Sequence, residues 1–307
     1  MIEAAGLTKQ FDEFVAVNSI DLSVREGEVL ALLGPNGAGK TTTVRMLAAI
    51  LKPTAGWARV AGYDTVRDAR LVRQTIGLLT EFPGLYLRMR GLEYLDFFGQ
   101  LQGLAPAQRM ERSEQLLKRF ELWEAGNQRT GEYSKGMRQK LALVRAMLHD
   151  PQVLFLDEPT SAMDPHSARL VRSAIVELRR DRRTIVLCTH NLTEAEQLAD
   201  RIAIIRRGRI VALGTPGELK NRLLGDPVLE LRLAQSLDGL LPELADLVTV
   251  ETHGDNWLRY RTSTPEAVNP RLLQRLAERG TPVVTLSEVP RSLEDVYLRI
   301  VNEVNEL

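Results

Sequence analysis

A short apolar run that ends in a glycine-rich turn constrains the fold of this 307-residue chain more than any other feature. The run Val29–Leu33 is apolar at every position, which is typical of a strand covered on both faces of a parallel sheet. The turn 34–39 follows it directly, and the helix-like segment 41–51 follows the turn. Strand, tight turn and helix in this order predict the opening unit of an α/β sheet.

The alternation of strands and helices continues along the chain. Half-buried strand patterns precede the turn, and a helical region, 85–128, contains a break at Pro106. The patterns predict strands at 15–17, 20–24, 153–156, 184–188, 202–205 and 210–213, and helices at 137–148 and 165–180. Repeated strand–helix–strand order favours a mainly parallel sheet.

A second, smaller domain is predicted after a boundary near Gly225 and Pro227, which separates residues 1–224 from residues 225–307. Its predicted elements are strand 228–233, helix 236–247, strands 248–252 and 257–262, helix 268–279, strand 282–287 and helix 292–301. This order predicts an α+β domain. The sequence leaves open whether it serves dimerisation, regulation or contact with a partner.

The glycine-rich turn also predicts a binding site. Residues 34–41 match the phosphate-loop pattern, with the strand before it and the helix after it that the pattern requires. Glycines allow backbone amides to turn toward phosphate groups, and the helix N-terminus adds partial positive charge. Lys40 is placed to reach the β- and γ-phosphates, and the Thr41 hydroxyl is placed to bind Mg²⁺. The segment predicts nucleotide binding.

Two acidic residues and one histidine follow other predicted strands. Asp157 and Glu158 end the strand at 153–156, and His190 follows the strand at 184–188. The carboxyl ends of parallel strands share one edge of a sheet, so we expect these side chains near the phosphate loop. Asp157 suits the Mg²⁺ shell, and Glu158 suits proton transfer from an attacking water. His190 suits contact with a γ-phosphate or an attacking water, and the alternative is a structural histidine.

A further anion site is predicted where the helix at 137–148 begins. Ser134 and the backbone amides of Gly136 and Met137 precede this amphipathic helix. The alternative is that Ser134 only caps the helix.

Composition narrows the class of protein. Lys and Arg total 40, as do Asp and Glu, so the balanced charge does not favour a nucleic-acid partner. Cys188, the one cysteine, lies in an apolar run and is expected to be a core thiol. The apolar runs are strand-sized, so transport would need a separate membrane protein.

Taken in order, these motifs resemble the ATP-binding subunits of ABC transporters over roughly residues 1–220. The resemblance rests on the phosphate loop 34–42, the signature-like segment 134–139, the strand ending in Asp157 and Glu158, the segment 161–164, and His190. It implies an ABC ATPase domain with a mainly parallel core, an antiparallel N-terminal subdomain and a helical subdomain at about 85–135. It also implies ATP hydrolysis and a head-to-tail dimer of two copies, with ATP between one phosphate loop and the opposing signature.

The resemblance assigns site residues one by one. Phe11 matches the residue that stacks on adenine, with Phe14 as a competitor and core packing as the alternative for either. Val17 would pack beneath the ribose, Asp164 would couple the two sites, and His190 would be the switch histidine. The implied ATP-binding residues are Phe11, Val17, Gly34, Pro35, Asn36, Gly37, Ala38, Gly39, Lys40, Thr41, Thr42, Ser134, Lys135, Gly136, Met137, Asp157 and Asp164. The implied Mg²⁺ ligands are Thr41, Glu81 and Asp157, and the implied catalytic residues are Glu158, His190 and Glu81.

The chain departs from the family pattern at three of these positions. Lys135 and Met137 stand where the common signature has Gly and Gln, and Glu81 stands where Gln is usual. These departures and the α+β tail look like those of exporter ATPases that work with separate polytopic permeases. We therefore expect a subunit at the cytoplasmic face of the cell membrane, held there by its permease. The candidate apolar contacts with the permease are Phe82 to Tyr86 and the cluster Tyr94, Phe97 and Phe98. For the cluster, the alternative is burial in the helical core. The alternatives are a soluble ABC ATPase acting on ribosomes or DNA, and a regulatory module that binds ATP without hydrolysing it.

Overall fold

The computed structural model describes residues 1–161, 163–237 and 239–297. The chain forms two compact units, Met1–Pro216 and Gly217–Leu307. The strands of the first unit are β1 (Ile2–Phe11), β2 (Phe14–Val24), β3 (Val29–Leu33), β4 (Ala55–Val60), β5 (Tyr63–Asp64), β6 (Ile76–Leu79), β7 (Val153–Asp157), β8 (Thr184–Thr189), β9 (Arg201–Arg206) and β10 (Arg209–Gly214). Its helices are α1 (Lys40–Leu47), α2 (Ala69–Thr75), α3 (Gly91–Leu101), α4 (Pro106–Arg119), α5 (Lys135–Met147), α6 (Pro165–Arg180) and α7 (Leu192–Leu198).

The central sheet of the first unit has the strand order β10-β9-β3-β8-β7-β6. All neighbouring strands are parallel except β10, which runs antiparallel to β9. Strands β3, β7 and β8 are buried at every position, because parallel strands are covered on both faces. The predicted parallel core is confirmed, and it places the carboxyl ends of β3, β7 and β8 side by side.

An antiparallel sheet with the order β2-β1-β4-β5 packs against this core. Buried side chains of both sheets and of α1 form one continuous hydrophobic cluster, which includes Ile2, Leu7, Ile20, Leu30, Leu32, Val44, Met46 and Phe155. Burial of each large apolar side chain stabilises the fold by about 1.5–3 kcal/mol. Cys188 belongs to this cluster as expected, and burial raises the pKa of its thiol.

The helical region predicted at 85–128, with its break at Pro106, contains two helices, α3 and α4. Gly103 turns the chain at φ 79°, and Pro106 begins α4 at a position where its missing N–H is not needed. Tyr94 is fully buried, and its hydroxyl accepts a hydrogen bond from Arg145 Nη1 at 2.6 Å. Tyr94 is therefore a core residue, whereas Phe97 remains partly exposed.

The second unit is built on an antiparallel sheet with the order β12-β13-β11-β14. Its elements are α8 (Pro216–Leu224), β11 (Val228–Leu233), α9 (Leu241–Leu244), β12 (Thr249–His253), β13 (Trp257–Arg261), α10 (Pro265–Glu278) and β14 (Val283–Glu288). Helix α8 lies before the predicted boundary, yet most of it belongs to this unit. Arg261 Nη1 donates to the carbonyl of Leu224 at 3.1 Å, and Arg291 Nη2 donates to Asn221 Oδ1 at 3.2 Å.

The predicted helix 236–247 is reduced to the short α9, because Gly239 turns the chain at φ 71° just before Pro242 enters the first turn of α9. Residues 293–297 of the predicted helix 292–301 are helical, and its later residues lie outside the described part of the chain. Within the described residues, no helix has both the length and the apolar character needed to cross a membrane.

Candidate active site

The phosphate loop joins β3 to α1 and is shaped by close backbone contacts. Gly39 has φ 105°, and a Cβ atom there would lie 2.6 Å from the carbonyl oxygen of Ala16. Only glycine tolerates this position, since it has no Cβ and adopts positive φ readily. The carbonyl of Ala38 accepts a hydrogen bond from Gly208 N at 3.0 Å, so the turn between β9 and β10 braces the loop.

Lys40 lies inside the loop and is only 6% exposed. Its Nζ donates to the carbonyl of Gly34 at 2.5 Å and to that of Pro35 at 3.2 Å. A buried ammonium group must have such partners, because burying a charge without hydrogen bonds is strongly unfavourable. These contacts hold the cation within the turn that the pattern assigns to the phosphates.

Asp157 at the end of β7 faces Thr41 in the first turn of α1. The Thr41 hydroxyl donates to Asp157 Oδ2 at 2.8 Å, and Asp157 is almost fully buried. Burial raises the pKa of Asp157; Glu158 and Glu81 raise it further, while the Thr41 hydrogen bond and Lys40 oppose the rise. The region therefore carries surplus negative charge that a cation would offset.

The Thr41 hydroxyl and the Asp157 carboxylate suit Mg²⁺ rather than a metal held by protein side chains alone. Magnesium is typically bound through one or two carboxylates together with phosphate oxygens and water. Among the described residues, no group of three or more His, Cys, Asp or Glu side chains is arranged to hold a metal by itself. Thr41 and Asp157 would bind the ion jointly with a nucleotide.

Glu158 is held in an uncommon backbone conformation beside His190. It has φ 50°, its N–H donates to the carbonyl of Cys188 at 2.9 Å, and its own carbonyl accepts from Gln139 Nε2 at 3.2 Å. Its Oε1 lies 2.8 Å from Nδ1 of His190, whose side chain is 65% exposed while that of Glu158 is 12% exposed. Non-glycine residues in the left-handed region cluster at functional sites. The carboxylate thus has a fixed neighbour, which suits a group that accepts a proton from water.

A cavity of about 400 Å³ collects most of these side chains. It is lined by Phe14, Ala16, Pro35, Asn36, Gly37, Ala38, Gly39, Lys40, Thr41, Thr42, Glu81, Asp157 and Glu158. The structure therefore brings together the phosphate loop, the acidic pair and Glu81 from three different strand ends. Lys40 contributes positive charge to this lining, and Glu81, Asp157 and Glu158 contribute carboxylates.

The residues of β2 that line the cavity are not those that the resemblance assigns to adenine and ribose. Phe14 and Ala16 line the cavity, whereas Val17 points into the core and is fully buried. Phe11 lies opposite Phe14 across the β1–β2 hairpin and is 44% exposed, with Lys9 Nζ 5.0 Å from its ring centre. Alternation along β2 turns neighbouring residues to opposite faces, and this explains why Ala16 rather than Val17 faces the cavity. The adenine contact of Phe11 stays a prediction.

The signature-like segment does not reach the cavity of its own chain: none of Ser134, Lys135, Gly136 and Met137 belongs to the lining described above. Ser134 caps α5, and its Oγ accepts from Met137 N at 3.2 Å. Asp164 similarly caps α6 by accepting from Ser167 N at 3.0 Å, and this bond lowers the pKa of Asp164. Within one chain these residues perform ordinary capping, as the alternative interpretation of Ser134 expected.

Sequence reasoning missed the buried Glu194 in the first turn of α7. Its carboxylate accepts hydrogen bonds from the hydroxyls of Thr160, which lies two residues after Glu158, and of Thr189, which ends β8 just before His190. A glutamate after the asparagine cap Asn191 reads as an ordinary helix start, so nothing in the local pattern distinguishes it.

Known proteins that are similar to this chain are ATP-binding proteins, as the phosphate loop and the acidic pair predict. Residues 17–161 match a family model described as ABC transporter, and residues 214–301 match the C-terminal domain of DrrA1-3-like ATP-binding proteins. The chain is 37% identical to the daunorubicin resistance ATP-binding protein DrrA3 of Streptomyces coeruleorubidus, covering 98% of this chain and 96% of that protein. It is also 37% identical to the Nod factor export ATP-binding protein I of Rhizobium sp. (strain N33), covering 97% and 96%.

Solved structures show the same architecture. One is an ATP-binding subunit of an ABC transporter, with a TM-score of 0.70 and 28% identity over 80% of this chain and 99% of that one. Another is a dimeric ATP-binding cassette in a post-hydrolysis state bound to ADP and Pi, with a TM-score of 0.65 and 25% identity over 70% and 98%. A relative matched over nearly its whole length, together with the phosphate loop and the acidic pair, shows the family. This chain is a member of the ATP-binding protein family of ABC transporters, and it is an ATPase.

Proposed function

We propose that this ATPase drives the export of a solute through a separate polytopic permease at the cytoplasmic face of the membrane. Relatives that match nearly the whole chain are named for drug resistance and for Nod factor export, which supports the export direction. The solute itself would be chosen by the permease, because the ATPase site described above handles only the nucleotide.

An exposed apolar surface supports the existence of a docked partner. Around α3 the side chains of Phe82, Tyr86, Leu87, Phe97 and Leu101 are 81%, 51%, 53%, 37% and 65% exposed. Aromatic side chains at such exposure are enriched where proteins associate. Tyr86 stacks on Phe98 with ring centres 6.1 Å apart, so the surface is preorganised rather than loose. We assign the permease contact to this surface.

The observation that carries the mechanism is the composition of the cavity. It contains Lys40, Asp157 and Glu158 but not the segment Ser134–Met137 of the same chain. The exposed start of α5 is a helix N-terminus, which favours an anion. We therefore propose a head-to-tail dimer, in which the segment of one copy completes the phosphate site of the other.

In the completed site each residue has a distinct task. Lys40 and the loop amides bind the phosphates, while Thr41 and Asp157, with Glu81, would hold Mg²⁺. When bound, Mg²⁺ would neutralise phosphate charge and align the terminal phosphate. Glu158 accepts the proton of the attacking water, and His190 orients Glu158 through the contact at 2.8 Å. Positioning and charge stabilisation supply most of the acceleration in such reactions, so a site lacking the second copy is slow.

Hydrolysis per chain should therefore increase with protein concentration, giving a total rate that rises faster than linearly. The measurement is phosphate release over a dilution series that spans the dimerisation range. A strictly linear total rate across that range would contradict the shared site.

A mixing experiment provides the matched control. Gly136→Asp places a negative charge at the segment, and a Cβ there meets only Ser134 Oγ at 4.0 Å, so the fold has room for it. Gly136→Asp and Glu158→Gln should each be inactive alone. Mixed equally, heterodimers combine the intact Glu158 of one chain with the intact Gly136 of the other, restoring about a quarter of the wild-type rate in a two-fold dimer. No recovery on mixing, with dimers present, would exclude the head-to-tail arrangement.

The permease is tested by co-purification. Tagged Glu158→Gln, extracted in detergent from membranes with MgATP, should retain a polytopic membrane protein at near-equal stoichiometry. The variant should bind ATP without hydrolysing it, which keeps the two copies together around the nucleotide. The same preparation without MgATP is the control. Recovery of ribosomes or DNA-bound proteins instead, with no membrane protein, would favour the soluble ATPase.

A further inference from the structure

The strongest unexplained feature of the first unit is a buried carboxylate that no step of the mechanism uses. Glu194 is 2% exposed. Its Oε1 accepts from the Thr160 hydroxyl at 2.8 Å, and its Oε2 accepts from the Thr189 hydroxyl at 3.0 Å. We refer to Glu194, Thr160 and Thr189 as the Glu194 cluster. A buried carboxylate is tolerated only where hydrogen bonds replace the water it has lost, and each oxygen of Glu194 accepts such a bond.

The backbone reinforces this arrangement. Glu194 lies in the first turn of α7, where backbone N–H groups favour negative charge. Its N–H donates to Asn191 Oδ1 at 3.0 Å, and Asn191 N donates to Thr189 Oγ1 at 3.0 Å. The Thr189 hydroxyl therefore accepts one hydrogen bond and donates the other, which leaves a single orientation for its proton.

The two threonines of the cluster lie in the segments that carry His190 and Glu158. Thr189 ends β8 and immediately precedes His190, while Thr160 follows Glu158 by two residues and leads to Asp164. Glu194 thus bridges the two segments that carry the catalytic carboxylate and the histidine. A second bridge, from Glu158 N to the carbonyl of Cys188 at 2.9 Å, joins the same two segments closer to the sheet.

We propose that Glu194 is a positioning residue, which holds the Glu158–His190 pair and the segment leading to Asp164 as one unit. This inference rests on the proposed roles of Glu158 and His190 in hydrolysis. Through Thr189 the cluster sets where His190 stands relative to Glu158, and through Thr160 it sets where the chain goes toward the cap of α6. The nucleotide cavity does not include the cluster, so ATP binding should be independent of it.

The test separates hydrogen bonding from packing at each threonine. Thr160→Val and Thr189→Val keep the side-chain shape and remove the hydroxyl, whereas Thr160→Ser and Thr189→Ser keep the hydroxyl and remove a methyl group. Displacing catalytic groups by about 1 Å can lower a rate on the order of 10²-fold, so we expect kcat to fall roughly 10- to 100-fold in each valine variant. KM for ATP and the amount of ATP bound per chain should not change. The serine variants should stay within about twofold of the wild type, because the positioning bond is retained.

Several results would overturn the role of Glu194. A merely structural role predicts the reverse ranking, in which valine is tolerated and serine, which opens a cavity, is not. Loss of ATP bound per chain in parallel with kcat, in variants that circular dichroism shows to be folded, would mean that the cluster supports nucleotide binding rather than the Glu158–His190 pair. Glu158→Gln is measured in the same assay: if it is impaired while the valine variants are not, only the role of Glu194 fails. If Glu158→Gln itself keeps full turnover, the proposed role of Glu158 fails, and the premise of this inference fails with it.

Discussion

Glu158→Gln should lose ATP turnover by about 10²- to 10⁴-fold, the usual contribution of a positioned general base. The substitution preserves side-chain size and removes both the negative charge and the ability to accept a proton from water. Glu158 sits at the edge of the cavity with Oε1 2.8 Å from His190 Nδ1, so the amide can occupy the same place. Binding of ATP should be retained, because Lys40 and the loop amides are unchanged. Single-turnover hydrolysis and equilibrium binding of a fluorescent ATP analogue measure the two effects separately.

The matched control is Glu124→Gln, which makes the same chemical change at an exposed position on the same unit. It should leave kcat and ATP affinity unaltered. Turnover at the wild-type rate in Glu158→Gln would remove this residue from the chemical step and leave His190 or Glu81 as the residue to examine.

Lys40→Met should weaken ATP binding by roughly 10²-fold, equivalent to about 3 kcal/mol, because charge-assisted hydrogen bonds to the phosphates are lost. Methionine is an unbranched side chain of similar length, so it can follow the same path through the loop. The carbonyls of Gly34 and Pro35 lose their donor, and a small decrease in thermal stability should accompany the change. Titration with the ATP analogue measures the affinity, and circular dichroism verifies that the chain is folded.

Lys118→Met is the control for charge. Lys118 is exposed on α4 and pairs with Glu114 at 2.6 Å, an interaction of the kind that contributes little to stability. Its loss should change neither binding nor turnover. Retention of wild-type ATP affinity in Lys40→Met would mean that the loop amides alone bind the phosphates, and the assignment of Lys40 would be wrong.

Much of the first unit could be predicted because its signals are local. Continuous apolar runs identify β3, β7 and β8, and the pattern at 34–41 specifies both the turn and its position between strand and helix. The parallel order then brings Asp157 to the phosphate loop without further information, since parallel strands end at a common edge. In the second unit the strands were predictable for the same reason, but the helix at 236–247 was not. Its apolar residues continue past Gly239 and Pro242, and only the turn there decides where α9 begins.

Other features depend on which side chains meet across long separations in sequence. The choice of Ala16 over Val17 at the cavity follows from the face that β2 turns to the core, which periodicity over a short strand did not reveal. Tyr94 is buried with its hydroxyl satisfied by Arg145 of α5, whereas the nearby Phe97 is left exposed. The Glu194 cluster joins residues from two strand ends and one helix, and none of the three is unusual in its own segment.

The sequence alone was enough to predict a nucleotide site, because the types and spacing of Gly39, Lys40, Thr41, Asp157 and Glu158 match those that phosphate and Mg²⁺ binding require. The fold was needed to show which of these groups share a cavity, that Ser134–Met137 is not part of its lining, and that Glu194 bonds to both Thr160 and Thr189. The two kinds of feature differ in how far apart in the sequence the interacting residues lie. Backbone conformation and loop chemistry depend on neighbours in the chain, whereas burial and side-chain hydrogen bonds depend on neighbours in space.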